Sequence, residues 1–147
     1  MSLPAAKALE IAQSIQLAVA PVFLLSAVGI TLTVLTNRLA RVIDRARAVE
    51  GMTAGSATDL RERQEQLQVL QRRARLINTA ITMNVLCALF VALVVVAIFV
   101  NEFIVTDLSR AIATLFVIGM ICFIAALLLL LREVFLAIKA LRIGMRR

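Results

Sequence analysis

The chain has 147 residues, 62% of them hydrophobic, and a formal charge of +7 from sixteen Lys and Arg against nine Asp and Glu. The apolar share exceeds the about 45–50% of an ordinary soluble domain, and the mean hydropathy of +0.98 points the same way. These values place the whole chain, 1–147, in a single membrane domain and leave too few residues for a second independent core. Lacking His, Trp and Tyr, it has no imidazole for acid–base work or metal ligation; its basic charge lies beside apolar runs, which points to lipid rather than nucleic acid.

In chain order, the first predicted element is a span over 11–37, a stretch without charge. It is about 40 Å long as a helix, more than a bilayer core of about 30 Å. Ala18, Val19 and Ala20 form an A-x-A pattern, but Pro21 follows at once and no adequate apolar region precedes it, so the span is expected to stay uncleaved. Pro21 is expected to kink it. Ser26, Gly29, Thr33 and Asn37, continued by Ala40 and Asp44, step by three or four and draw a small-to-polar stripe along one face. Such a face is expected to avoid lipid, by tight helix packing or by lining a hydrated path or subunit interface.

The helical pattern runs past Asn37 through Leu39, Val42, Ile43, Ala46 and Val49, with no Gly or Pro before Gly51. The turn Gly51 to Thr58 offers a C-cap glycine and, in Thr58, an N-cap. A second helix then carries Leu60, Leu67, Leu70, Ala74 and Ile77 on one face. The two apolar seams of residues 38–75, continuous with the first two spans, are therefore expected to pair as an antiparallel helical hairpin or with neighbouring subunits. Asp44, three residues from both Arg41 and Arg47, is placed to form ion pairs, while Arg38, Arg41 and Arg45 share another face.

The second span is expected over 76–100, where twelve Val, Leu, Ile or Phe residues between 85 and 100 offset Asn78 and Asn84. Asn78 and Thr82, four apart, extend the polar surface. The third span, 111–131, ends in ALLLLL. Cys87 and Cys122 lie inside apolar runs and read as packing residues. Glu133 is the one acid beside the basic tail, with Arg38, Arg75 or Arg132 as candidate partners. Fourteen of the sixteen Lys and Arg fall between the first two spans or after the third. By the positive-inside rule the hairpin and carboxyl terminus are expected in the cytoplasm and the amino terminus outside.

The run LTNRLARVIDRARAVE, with APVFLLSAVGI upstream and RRARLINTAI downstream, resembles a bacterial three-span membrane family catalogued as a domain of unknown function, family 2721. The likeness extends over most of the chain, from the first span to the third. It implies a bacterial inner-membrane protein and carries over no catalytic residue.

The expected fold is all-α, with three transmembrane helices. Catalytic, cofactor and metal sites are expected to be absent, and no enzyme is expected, because no nucleophile motif, metal cluster or phosphate loop is present. The candidate path or interface consists of Ser26, Gly29, Thr33, Asn37, Asn78 and Thr82. The candidate cytoplasmic mouth or lipid contact consists of Arg38, Arg41, Asp44, Arg45, Arg75, Arg132 and Glu133. Two functions are open: a homo-oligomeric small ion channel, or a non-conducting structural or regulatory protein whose basic hairpin binds anionic lipid or a partner protein.

Overall fold

The computed structural model describes residues 3–51, 57–101 and 108–144. Every element there is an α-helix: α1 (Leu3–Glu50), α2 (Ala57–Asn101) and α3 (Ser109–Gly144). The turn residues 52–56 and the terminal Arg146 and Arg147 lie outside the described residues. Each helix contains a stretch long and apolar enough to cross a membrane: Ile11–Glu50, Asp59–Asn101 and Ser109–Ala137, with mean hydropathies of 2.2, 2.9 and 2.9. Of these apolar windows only 17%, 22% and 11% is buried, so side chains such as Phe23, Ile30, Ile121 and Leu128 face outward. Such a surface suits acyl chains better than water.

With no Gly or Pro from 30 to 50, α1 passes from the uncharged run into the arginine-rich run without interruption. Pro21 does not break it; the residue is buried and the helix continues on both sides. Gly51 ends α1, as expected of a C-cap glycine, donating its N–H to the Arg47 carbonyl at 3.0 Å without a positive φ. Arg63 of α2 donates to the Glu50 carbonyl, placing a cation on the negative end of the α1 dipole. The α2 helix starts at Ala57, which puts Thr58 inside the first turn rather than at the cap. The third helix extends past 131 to Gly144, well beyond the expected span.

The chain divides into two compact units, each drawing on all three helices. One comprises Met1–Thr31 and Asn84–Phe123. Its core is Val28, Cys87 and Val91, with Leu24, Leu25, Cys122 and Phe123 packed against it. Both cysteines are free thiols, and Cys87 is buried. At Gly119 an added Cβ would stand 3.3 Å from the Phe90 Cβ and 3.6 Å from Val91 Cγ2, so α3 approaches α2 too closely there for an unadjusted side chain. Asn101 Oδ1 accepts the Leu108 N–H at 3.0 Å, tying the end of α2 to the start of α3.

The other unit comprises Leu32–Met83 and Ile124–Arg147. Leu35, Val42 and Val49 of α1 pack there with Leu70, Ile77 and Ala80 of α2, joined by Leu129 and Leu130 of α3. The hairpin pairing expected from the apolar seams is present. Ile43 and Leu60 are corrections to it: both are exposed, at 40% and 50%.

Burial follows a seven-residue step on every helix. On α1 the buried positions are Pro21, Val28, Leu35, Val42 and Val49, with Ala18 in a companion column; on α2 they are Leu70, Ile77, Asn84 and Val91, with Ala80, Cys87 and Val94 in the companion column; on α3 they are Gly119, Ala126 and Glu133. A 3.5-residue period keeps one narrow seam against neighbouring helices, the knobs-into-holes pattern of coiled coils. It leaves the other faces to solvent or lipid.

Candidate arginine–glutamate site at the end of the apolar runs

The α3 column of Gly119, Ala126 and Glu133 places a carboxylate on a seam otherwise held by small residues. Glu133 is 1% exposed. Unpaired, a buried carboxylate would cost several kcal/mol, about the effective penalty for an ion removed from water. Two arginines offset that cost. Arg38 Nη1 donates to Glu133 Oε2 at 2.6 Å, while Arg73 donates to Oε1 through Nη2 at 2.7 Å and Nε at 3.2 Å. One acid thus ties α1, α2 and α3 together within a single unit. The arginine side chains remain 37% and 23% exposed, so each is still partly open to its surroundings.

A groove of ≈ 280 Å³ opens beside this triad, lined by Arg38, Arg41, Arg45 and Arg73 over Val42, Leu70 and Glu133. Its lining holds four arginines and one carboxylate. Arg41 and Arg45 are exposed and make no ion pair among the described residues.

The structure therefore sorts the residues proposed for a mouth or lipid contact. Arg38 and Glu133 are paired, and Arg41 and Arg45 line the same groove. Asp44 is exposed and pairs with neither Arg41 nor Arg47. Arg75 and Arg132 are exposed and are not the partners of Glu133. The partner missed by residue order is Arg73. Its signal was present in the period: seven steps back from Ala80 on the Val94, Cys87, Ala80 column is position 73, a seam position that demands a buried acid if occupied by Arg.

The candidate path residues occupy different surroundings. Ser26, Gly29, Thr33 and Asn37 of α1 are all exposed, as are Asn78 and Thr82 of α2. An added Cβ at Gly29 meets nothing within 4 Å. Packing of this stripe against the chain's own helices is therefore not what the fold does with it. Thr82 donates its hydroxyl to the Asn78 carbonyl at 3.0 Å, and Thr31 and Thr36 likewise bond carbonyls one turn back on their own helix. The interhelical polar contact that residue order did not foresee is that of Asn84 on α2: fully buried, it donates to the Val28 carbonyl of α1 at 2.9 Å, while its Oδ1 has no partner. Among the described residues no group of three or more His, Cys, Asp or Glu could hold a metal ion.

No curated protein and no solved structure matches the chain. A family model described as Protein of unknown function (DUF2721) matches residues 18–143, which take in most of the first apolar helix, the other two, the arginine groove and Glu133. With that match covering most of its length, the chain belongs to the DUF2721 family.

Proposed function

We propose that the protein is a homo-oligomer of the bacterial inner membrane in which the small-to-polar faces of α1 from several copies meet and line a small path for ions. The observation that carries this is the exposure of Ser26, Gly29, Thr33 and Asn37 on the uncharged run of α1, where exposed neighbours such as Phe23, Ile30 and Val34 are apolar. An amide or hydroxyl facing hydrocarbon loses its water, and small residues allow backbones of neighbouring helices to approach. Three helices enclose no pore alone, so symmetry-related copies are required. The excess of Lys and Arg beside the hairpin and tail favours an orientation with both in the cytoplasm and the amino terminus outside. The protein works without a catalytic centre.

Sizing in detergent tests the assembly, and a monodisperse monomer would end this proposal. Flux through reconstituted liposomes then compares the parent with Thr33→Leu and Asn37→Leu; a path lined by α1 requires both to lower it. Single cysteines at Ser56 and Ser109 on a cysteine-free background report orientation, with Ser109 expected to label from outside and Ser56 only from inside.

A different observation favours a second, non-conducting role: Arg41 and Arg45 stand exposed in a groove floored by Val42 and Leu70 and make no ion pair among the described residues. In that role the basic hairpin holds anionic lipid or a partner protein, and the protein is structural or regulatory.

A further inference from the structure

We propose that the groove between Arg41, Arg45 and the Glu133 triad is a binding site for the phosphate of an anionic lipid headgroup. The inference rests on the second role above, the meeting of the hairpin with anionic lipid, and narrows it to one place. Arg38, Arg41 and Arg45 step by three and four along α1 and so crowd like charges on one face, which is unfavourable unless an anion shares it. Glu133 offsets only part of this charge. It binds one N–H of Arg38 and two of Arg73, and each guanidinium carries five, so most donors stay available.

The carboxylate is thus an organiser. By fixing two guanidiniums it lowers the ordering cost of presenting them to a second anion, and arginine forks suit phosphate oxygens. Placement selects the source. Arg38 is the first charge after the uncharged run 11–37, and Glu133 stands two residues past the run 111–131, which is where lipid phosphates lie in a bilayer. Val42 and Leu70, at 5% and 9% exposure, give the groove an apolar floor for the glycerol side of a headgroup.

The test compares Arg41→Gln/Arg45→Gln with Arg75→Gln/Arg132→Gln. The second pair removes equal charge at the edge of the same apolar runs but outside the groove. All four residues are exposed, and unchanged helical circular dichroism and thermal midpoint confirm that each variant folds. Binding of phosphatidylglycerol and phosphatidylcholine to the purified full-length protein is read by native mass spectrometry, alone and against millimolar inorganic phosphate. The parent is expected to prefer phosphatidylglycerol. The groove variant is expected to lose about 30-fold in that binding, at about fivefold for each basic residue near an anionic surface, and the control pair much less. Equal losses in both pairs would overturn the groove while leaving a diffuse basic hairpin. Absence of any preference for phosphatidylglycerol in the parent would remove the lipid-binding role itself. Groove-dependent binding of inorganic phosphate without groove-dependent lipid binding would overturn the lipid source.

Discussion

Replacing Glu133 by glutamine keeps the shape of the side chain and removes its charge. The carboxylate accepts three N–H bonds from two guanidiniums, with both oxygens in use. Glutamine retains one acceptor oxygen and turns an NH2 toward the other arginine, where donor meets donor. Breaking a buried pair ordinarily costs about 3–5 kcal/mol through the charge left behind. Here Arg38 and Arg73 keep 37% and 23% of their side chains exposed, so solvent softens the loss to about 2–3 kcal/mol. The local reporter is a cysteine at Ala80, a fully buried position in the same unit, on a background with Cys87→Ala and Cys122→Ala. Alkylation of that thiol measures opening of the unit. Glu133→Gln should raise the opening equilibrium roughly 30- to 150-fold, since about 1.4 kcal/mol is a factor of ten. Alkylation within twofold of the parent would refute the claim that the triad holds the three helices together.

Other substitutions separate packing inside the chain from packing between copies. Gly119→Val should destabilise strongly, because its Cβ meets Phe90 at 3.3 Å and the added methyls have nowhere to go; faster alkylation of the buried Cys87, with Cys122 replaced, reads this. Gly29→Leu should leave Cys87 as protected as in the parent, since nothing lies within 4 Å of its Cβ, yet abolish self-association on sizing. Asn84→Leu should change Cys87 protection by no more than about 1 kcal/mol: it loses one bond to the Val28 carbonyl but also removes a buried amide oxygen without a partner.

Helix type, helix number and the continuity of the spans with the hairpin were legible because uncharged runs of this length have few other uses and no Gly or Pro interrupts residues 38–50. The seam was legible only in part. Leu39, Val42, Ala46 and Val49 were found, but a three-and-four step also admits Ile43, which the seven-residue column from Pro21 to Val49 excludes. Within the apolar runs the column was hidden for a physical reason: lipid-facing and helix-facing residues are equally hydrophobic, so amphipathic contrast vanishes. The pairing of Glu133 was half legible, through Arg38; Arg73 needed the heptad on α2. The exposure of the small-to-polar stripe was not legible, because polarity shows that a face avoids lipid without showing whether the chain's own helices or other copies cover it.

Among the described residues the two buried polar ones, Asn84 and Glu133, occupy columns that are otherwise apolar or small. A uniform heptad seam tolerates slippage by seven residues, since Val meets Leu or Ile equally well after the shift. Lipid adds no strong correction, because tails are as apolar as the side chains they would replace. A charged residue changes that balance. In the unit holding Glu133, a slip by one heptad would put the carboxylate against apolar neighbours and strand both arginines, a cost well above any difference among aliphatic contacts. In the unit holding Asn84, the amide bonds a single carbonyl, Val28, and the penalty for losing it is smaller. Register is therefore set mainly where α1, α2 and α3 converge on Glu133, and the same carboxylate that aligns the helices also fixes the guanidiniums of the groove. Structural alignment and anion recognition share one residue, which is why Glu133→Gln is expected to weaken both, while Arg41→Gln/Arg45→Gln separates them by sparing the alignment.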